Sequence, residues 1–459
     1  MSIFSKNRLM QKDIICVVYV TLRFNSSRTV VPTAKWLVKW VKKISQKTSI
    51  KSAMESTERN ENNEQELHDD SFYQQIAKTY HGLEELLADE IRELGGTDVL
   101  VLNRAVSYSG DDELMYKVNL HSRTALAVLV PIETFKAEDP DDLYEKAMKV
   151  EWENYFSCND SFAIHHSINS DFFTHSQFAA LKLKDAIVDR FRKVEGRRPS
   201  VDKENPQFRI NIHIFKQEVT LSFDSSGEPL FKRGYRQRQS QAPLNEILAA
   251  GMIMFSGWKG EKTFIDPMCG SGTLPIEAAM IAMNIPAGWY RRRFGFMNWN
   301  NYDERLWNRI KDEAREKILK QPPHLIIGSD ILSENIDKCE RNAHLIRCNQ
   351  LKFAVRDFFD FQRPDNEAAL VMLNPPYGER LDNEPELENF YKAIGDEFKK
   401  KFTGCDAWLI SSNMEAIKKI GLKADQKITL YNGPLECKLL HFPLFEGSQK
   451  EKQGKVNGN

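Results

Sequence analysis

Asp266-Pro267-Met268-Cys269-Gly270-Ser271-Gly272-Thr273 follows the run Thr263-Phe264-Ile265 and leads into Leu274-Pro275-Ile276-Glu277-Ala278-Ala279-Met280 at helical spacing. That is a strand, a glycine-rich turn and a helix. Glycines let the backbone turn sharply and approach a ligand closely, and the first helical turn offers unpaired N–H groups. A Gly-x-Gly turn alone is a weak signal, because nucleotide-binding folds of many chemistries use one. The lysine of a phosphate-cradling loop is missing, and an acid at the strand end repels phosphate while suiting a cationic or hydroxyl-bearing ligand. A plain βα turn becomes a poor reading once Asn374-Pro375-Pro376-Tyr377 follows further along the chain.

Around this stretch, from Pro243 onward, helical and extended patterns alternate. Leu244, Ile247, Leu248, Met252 and Phe255 mark a helix before the first strand. Later strands end at Ser329-Asp330, Arg356-Asp357 and Asn374, and Ala407–Ile410 is another; Lys427–Tyr431 and Leu439–Leu444 read as a closing hairpin around Gly433-Pro434. Such alternation predicts an α/β domain with a mostly parallel sheet and helices on both faces. Ligands in such sheets bind outside the carboxyl ends of the strands, where Asp266, Asp330, Asp357 and Asn374 all fall. Any one of them alone is better read as a helix cap or turn former. Their recurrence at strand ends, with the glycine turn at the first, points to one pocket. There Asp330 can accept from ribose hydroxyls and Asp357 from an exocyclic amine, while Gly270 and Gly272 let a ligand tail lie against the backbone. A nucleoside with a positively charged tail fits better than a dinucleotide, whose acid is expected about twenty residues beyond the glycines.

Asn374-Pro375-Pro376-Tyr377 is the most specific stretch. Prolines fix the backbone and remove donors, so the Pro375 carbonyl can sit beside the Asn374 side-chain oxygen. Two acceptors there can hold a planar NH2 group and turn its lone pair out of conjugation, while Tyr377 offers a flat face to the substrate ring. This is an arrangement for alkylating an amine on a planar group.

The rest of the chain supplies context. At 459 residues two or three domains are expected. The composition is 41% hydrophobic and 28% charged with a net charge of −1, which reads as soluble and globular. The seven cysteines form no Cys-x-x-Cys pair and no zinc-spaced cluster, so no metal and a reducing, cytoplasmic setting are expected. The early apolar run Ile14–Leu22 is too short to span a bilayer.

Residues 1–70 read as a disordered extension, basic and then acidic, with Met54 as an alternative start. Residues 71–136 read as a small α+β module with an amphipathic helix at His81–Leu94. Residues 137–227 read as a second module, a binder, with a long helix at His175–Val194 and a hairpin at Phe208–Phe223. Its cations Lys182, Lys184, Arg190, Arg197 and Arg198 are candidates for nucleic-acid contact. The linker 228–242 mixes cations with aromatics, and Lys232, Arg233, Tyr235 and Arg236 are candidates for phosphate contact and stacking. The domain 243–447 contains an excursion at 284–323 whose Arg291, Arg292 and Arg293 are candidates for clamping RNA; residues 448–459 are a tail.

On these motifs, residues 243–445 resemble a class I (Rossmann-like) S-adenosylmethionine (SAM)-dependent methyltransferase of the amino-methylating kind. The whole from Phe72 is similar to the THUMP-domain RNA methyltransferases that make N2-methylguanosine in bacterial 23S ribosomal RNA. Phe231–Arg236, Gly288–Trp299 and Tyr431–Phe442 are further stretches of that kind. The resemblance implies a ferredoxin-like module before a THUMP RNA-binding domain. It implies SAM held by Asp266, Pro267, Cys269, Gly270, Ser271, Gly272, Thr273, Asp330, Ile331, Asp357, Phe358 and Asn374. It gives Asn374, Pro375 and Tyr377 the catalytic roles and large-subunit rRNA, naked or in an assembling particle, as partner. A monomer with no membrane association and a single activity is expected, since the chain ends before a second methyltransferase domain. Adenine N6 methylation, methylation of a protein glutamine amide, and a non-catalytic role in rRNA assembly are the competing readings.

Overall fold

The computed structural model describes residues 72–173, 175–236, 244–376 and 384–445. The expectations for residues 1–70, for Tyr377 and for the tail from 448 lie outside the described residues.

The amino-terminal half is built from β1 (Tyr73–Lys78), α1 (Glu84–Glu93), β2 (Thr97–Leu102), β3 (Ala105–Gly110), α2 (Asp112–His121) and β4 (Ala127–Lys136), then α3 (Pro140–Ala147), β5 (Ser161–Asn169), α4 (Ser176–Glu195), β6 (Ser200–Val201), β7 (Phe208–Phe215) and β8 (Glu218–Asp224). The helices follow from local chemistry. Asp111 caps α2 by accepting from the Leu114 N–H, and α4 buries Ala179, Leu183, Ala186, Ile187 and Phe191 before Gly196 stops it at φ +72°. The two modules read separately in the sequence share one eight-stranded sheet, ordered β2-β3-β1-β4-β8-β7-β5-β6. The seam is β4, which pairs with β1 on one side and β8 on the other, with a register shift between Pro131 and Glu133.

The carboxyl-terminal half comprises α5 (Glu246–Phe255), β9 (Thr263–Asp266), α6 (Thr273–Ala282), α7 (Glu304–Lys317), β10 (Ile326–Asp330), α8 (Ser333–Ala343), β11 (Leu351–Val355), β12 (Ala369–Leu373), α9 (Glu384–Lys401), β13 (Asp406–Ser411), α10 (Met414–Lys419), β14 (Gln426–Asn432) and β15 (Leu435–Pro443). Its seven strands are ordered β11-β10-β9-β12-β13-β15-β14, parallel except for β15, which runs antiparallel to both neighbours. Every residue of β12 is buried, as a central parallel strand requires. The expected α/β domain and closing hairpin are therefore present. Among the described residues, no helix is long and apolar enough to cross a membrane.

The sequence reading did not pick out β1, α2 or α7. Helix α7 buries only Trp307, Ile310 and Ala314, a stripe one residue wide among charges. The excursion containing it packs down rather than standing free. Phe296 stacks on Tyr116 of α2 at 4.3 Å, Phe294 and Phe296 each meet Trp307 at 5.3 Å, and Trp299 meets Phe223 at 6.1 Å.

Candidate active site

Strand β9 is flanked by β10 through Ile265↔Ile327 and by β12 through Ile265↔Val371. Chain order reverses across this strand, which makes its carboxyl end the switch-point crevice of the sheet. The glycine turn lies there. Gly270 (φ +55°) and Gly272 (φ +84°) occupy the left-handed region, and a Cβ on Gly272 would come within 3.0 Å of Cys339 Sγ. Asp330 Oδ2 accepts from the Gly270 N–H at 3.0 Å, and its Oδ1 accepts from the Leu332 N–H and from Asn335 Nδ2, both at 3.0 Å. The acid read as a ribose acceptor therefore also braces the turn.

Asp266 is buried and accepts one backbone hydrogen bond, from Met268 at 3.1 Å. Burial, with the Asp330 charge nearby, pushes its carboxyl well above the usual carboxylate range. Such a group gains most from a cation brought alongside it. Cys269 lies 3.7 Å from Cys339, thiol to thiol. The hydrogen bond with Cys339 and then burial push the Cys269 thiol well above its ordinary range, which suits packing rather than nucleophilic attack.

Asp357 accepts from the Phe359 N–H at 2.9 Å and so caps the short turn Phe358–Asp360. The Phe358 ring is buried in the core against Phe402, so what this residue offers at the strand end is its backbone. Ile331 is 62% exposed on the rim. Asn374 follows β12 beside the turn. The Pro376 carbonyl accepts from the buried Tyr391 hydroxyl at 3.3 Å, and that hydroxyl is 2.7 Å from Ser411 Oγ. Neither Tyr391 nor Ser411 was found from the sequence, because Tyr391 falls at an apolar helical position on α9 and Ser411 lies just past the strand read at Ala407–Ile410.

The linker is corrected more sharply. Arg233 and Tyr235 are 1% and 0% exposed. Arg233 Nε and the Tyr235 hydroxyl both donate to Glu277 Oε1 on α6, at 3.4 and 3.0 Å. Arg236 donates to Glu246, Ser271 and Thr273. Neither Arg233 nor Arg236 is placed to meet phosphate, and Tyr235 is not placed to stack on a base. Arg291 is likewise buried, its guanidinium donating to the backbone carbonyls of Pro229, Lys232, Ser226 and Glu228 at 2.8–3.1 Å. It ties the linker to the excursion. Arg292 and Arg293 are exposed, as is Lys232, which pairs with Glu228 at 2.6 Å.

The cations of the second module divide as well. Lys182 pairs with Asp141, Lys184 with Asp185 and Arg190 with Glu153, whereas Arg197 and Arg198 are exposed just past α4. Among the described residues no group of three or more His, Cys, Asp or Glu side chains could hold a metal ion.

Three family models match in chain order. The RlmL ferredoxin-like domain matches residues 74–129, the THUMP domain 137–224, and the RMKL-like methyltransferase domain 233–441. A methyltransferase solved with S-adenosylhomocysteine (SAH) superposes with TM-score 0.73 at 30% identity, covering 82% of this chain and 100% of its own. The chain belongs to the RlmL-like, THUMP-bearing methyltransferases. A methylase from Clostridium difficile 630 gives TM-score 0.73 at 32% identity, again over 82% of this chain and 100% of its own. A protein from Listeria monocytogenes named as an N6-adenine-specific DNA methylase gives 0.72 at 31%, over 82% and 97%.

Among curated proteins, the ribosomal RNA large subunit methyltransferase K/L of Syntrophotalea carbinolica is 40% identical over 80% of this chain and 53% of its own length. That of Shewanella frigidimarina is 38% identical over 80% and 52%. The chain thus spans about half the length of these curated relatives. The cofactor of this methyltransferase domain is SAM. The donor set fits it, since a buried carboxyl with no cation paired to it among the described residues, a glycine turn open to close approach and further acids at the neighbouring strand ends suit a sulfonium nucleoside.

Proposed function

We propose that this protein methylates the exocyclic N2 amine of a guanine in large-subunit ribosomal RNA. The observation that carries the reading is the Asn374-Pro375-Pro376 segment at the carboxyl end of β12, the strand next to the glycine turn. SAM, when bound, supplies an electrophilic methyl group. The chain's task is then positioning and exclusion of water rather than covalent catalysis. Asn374 Oδ1 and the Pro375 carbonyl accept the two amine hydrogens, which holds the amine and directs its lone pair toward the crevice. Tyr377 stacks on a base taken out of its helix. Tyr391 and Ser411 steady the Pro376 carbonyl and with it the loop. Among the cationic candidates, Arg197, Arg198, Lys232, Arg292 and Arg293 have the exposure that phosphate contact needs. The curated relatives are named for rRNA, which supports the RNA class, and a THUMP domain precedes the site.

The Listeria relative's name favours a second reading, adenine N6, because the same two acceptors would hold that amine. Labelled SAM incubated with unmodified rRNA, followed by nucleoside mass spectrometry, separates them. N2-methylguanosine is the expected product. N6-methyladenosine would move the substrate while keeping the mechanism, and no RNA product with intact cofactor binding would overturn the RNA reading.

A further inference from the structure

Arg236, read from the sequence as a phosphate contact, is held against the cofactor turn. Its side chain is 9% exposed. Nε donates to Glu246 Oε1 at 2.6 Å, Nη1 to Ser271 Oγ at 3.1 Å and Nη2 to Thr273 Oγ1 at 2.8 Å. The two hydroxyls flank Gly272 and are themselves buried. Glu246 opens α5 and Thr273 opens α6, so one guanidinium joins two helix starts to the turn.

The preceding residues leave Arg236 little freedom. Arg233 and Tyr235 are fixed to Glu277 further along α6. Gly234 (φ +93°) passes so near Tyr290 that a Cβ would come within 2.3 Å of its carbonyl oxygen. A hydroxyl that accepts from a guanidinium must direct its own hydrogen elsewhere. Arg236 thereby turns the hydrogens of two hydroxyls at the turn away from the guanidinium.

We propose that Arg236 is a positioning residue for the amino-acid end of SAM, orienting the Ser271 and Thr273 hydroxyls toward the cofactor's carboxylate. This rests on the reading that the glycine turn takes that end of the cofactor. It does not depend on which base is methylated. Lysine cannot replace Arg236, because an ammonium lacks the planar fork that reaches two hydroxyls and Glu246 at once.

The test is calorimetric titration of SAH and of 5′-methylthioadenosine, which lacks the amino-acid end, into the full chain. Arg236→Gln is expected to weaken SAH at least tenfold and methylthioadenosine less than twofold, with Arg236→Lys in between. Ser271→Ala and Thr273→Val, each made alone, are expected to show the same selectivity and to add little in the Arg236→Gln background, which also covers the case that Arg236→Gln misfolds. Equal weakening of both ligands, or of neither, overturns the inference. Asp330→Ala in parallel should weaken both ligands. If it does while Arg236→Gln shows no selectivity, the inference fails and the pocket reading stands; if it affects neither, both fail.

Discussion

The glycine turn and the arginine-rich segments around it were equally conspicuous in the sequence, yet the turn forms as its residue types suggested while the segments divide between buried and exposed cations. Asp266 to Thr273 forms a strand end, a turn and a helix start, because glycine geometry and strand alternation are local properties of the chain. The cation–aromatic runs Phe231–Arg236 and Trp289–Phe294 read as RNA-facing, but Arg233, Tyr235 and Arg291 are interior. Arg197 and Arg198, just past the end of α4, are exposed. Within these cation–aromatic runs Arg233, Arg236 and Arg291 serve as donors to carbonyls and carboxylates in the interior, while Lys232, Arg292 and Arg293 stay exposed. A charge run reports composition; its exposure depends on what the rest of the fold presents to it.

The largest test of that contrast is Arg291→Ala. Removing the guanidinium strands the carbonyls of Ser226, Pro229 and Lys232 at the junction of linker and excursion. A destabilisation on the order of 3–5 kcal/mol is expected in denaturant unfolding. A variant of unchanged stability that merely binds RNA less tightly would return Arg291 to the surface role.

Asp266→Asn tests the turn itself. Below the ordinary carboxylate range both folded and unfolded chains hold the Asp266 proton. Above it only the unfolded chain releases the proton, because burial raises the folded-state value, so this group's contribution to stability falls as pH rises. The variant should therefore gain thermal stability over the parent as pH goes from about 4 to 7, while SAM affinity drops by roughly 1.5–3 kcal/mol. Equal pH profiles, or undiminished affinity, would show that the buried carboxyl does not meet the cofactor's positive charge.

A smaller effect is expected for Tyr391→Phe, which keeps the packing and removes the donor to Pro376. Turnover should fall by a factor of roughly five, about 1 kcal/mol, with SAH affinity unchanged; unchanged turnover would make Tyr391 a packing residue only. The smallest stability change belongs to Arg197→Ala with Arg198→Ala, within about 0.5 kcal/mol. The same pair should flatten the salt dependence of RNA binding by about one unit of slope for each phosphate left without its arginine. An unaltered slope would remove this surface from the interface.

What the sequence showed and what it hid divide along the same line. The strand ends at Asp266, Asp330 and Asn374, and the pattern of α4 and of the β7–β8 hairpin, are set by spacing within a few residues. The seam at β4 and the Glu277 hub join positions far apart in the chain, so no local window contains them; Tyr391 and Pro376 are only 15 residues apart, but a hydroxyl meeting a loop carbonyl leaves no periodic signal. One signal was present. Glu277 is the lone acid in the otherwise apolar stretch Leu274–Ala282, and a carboxylate on a helix apolar all round needs a buried donor. That requirement calls for a cation or hydroxyl donor from elsewhere in the chain, which Arg233 and Tyr235 supply. Helix α7 was hidden differently, by an apolar stripe too narrow to stand out from its charges.

Methyl transfer and SAH binding measured together on Asn374→Ala test the central claim most directly. Loss of the amide acceptor beside Pro375 should lower turnover by about 10^2–10^3-fold or more, while the dissociation constant for SAH stays near that of the parent. Substantial residual transfer would contradict the account, because the amine would then be held by something other than the Asn-Pro-Pro segment.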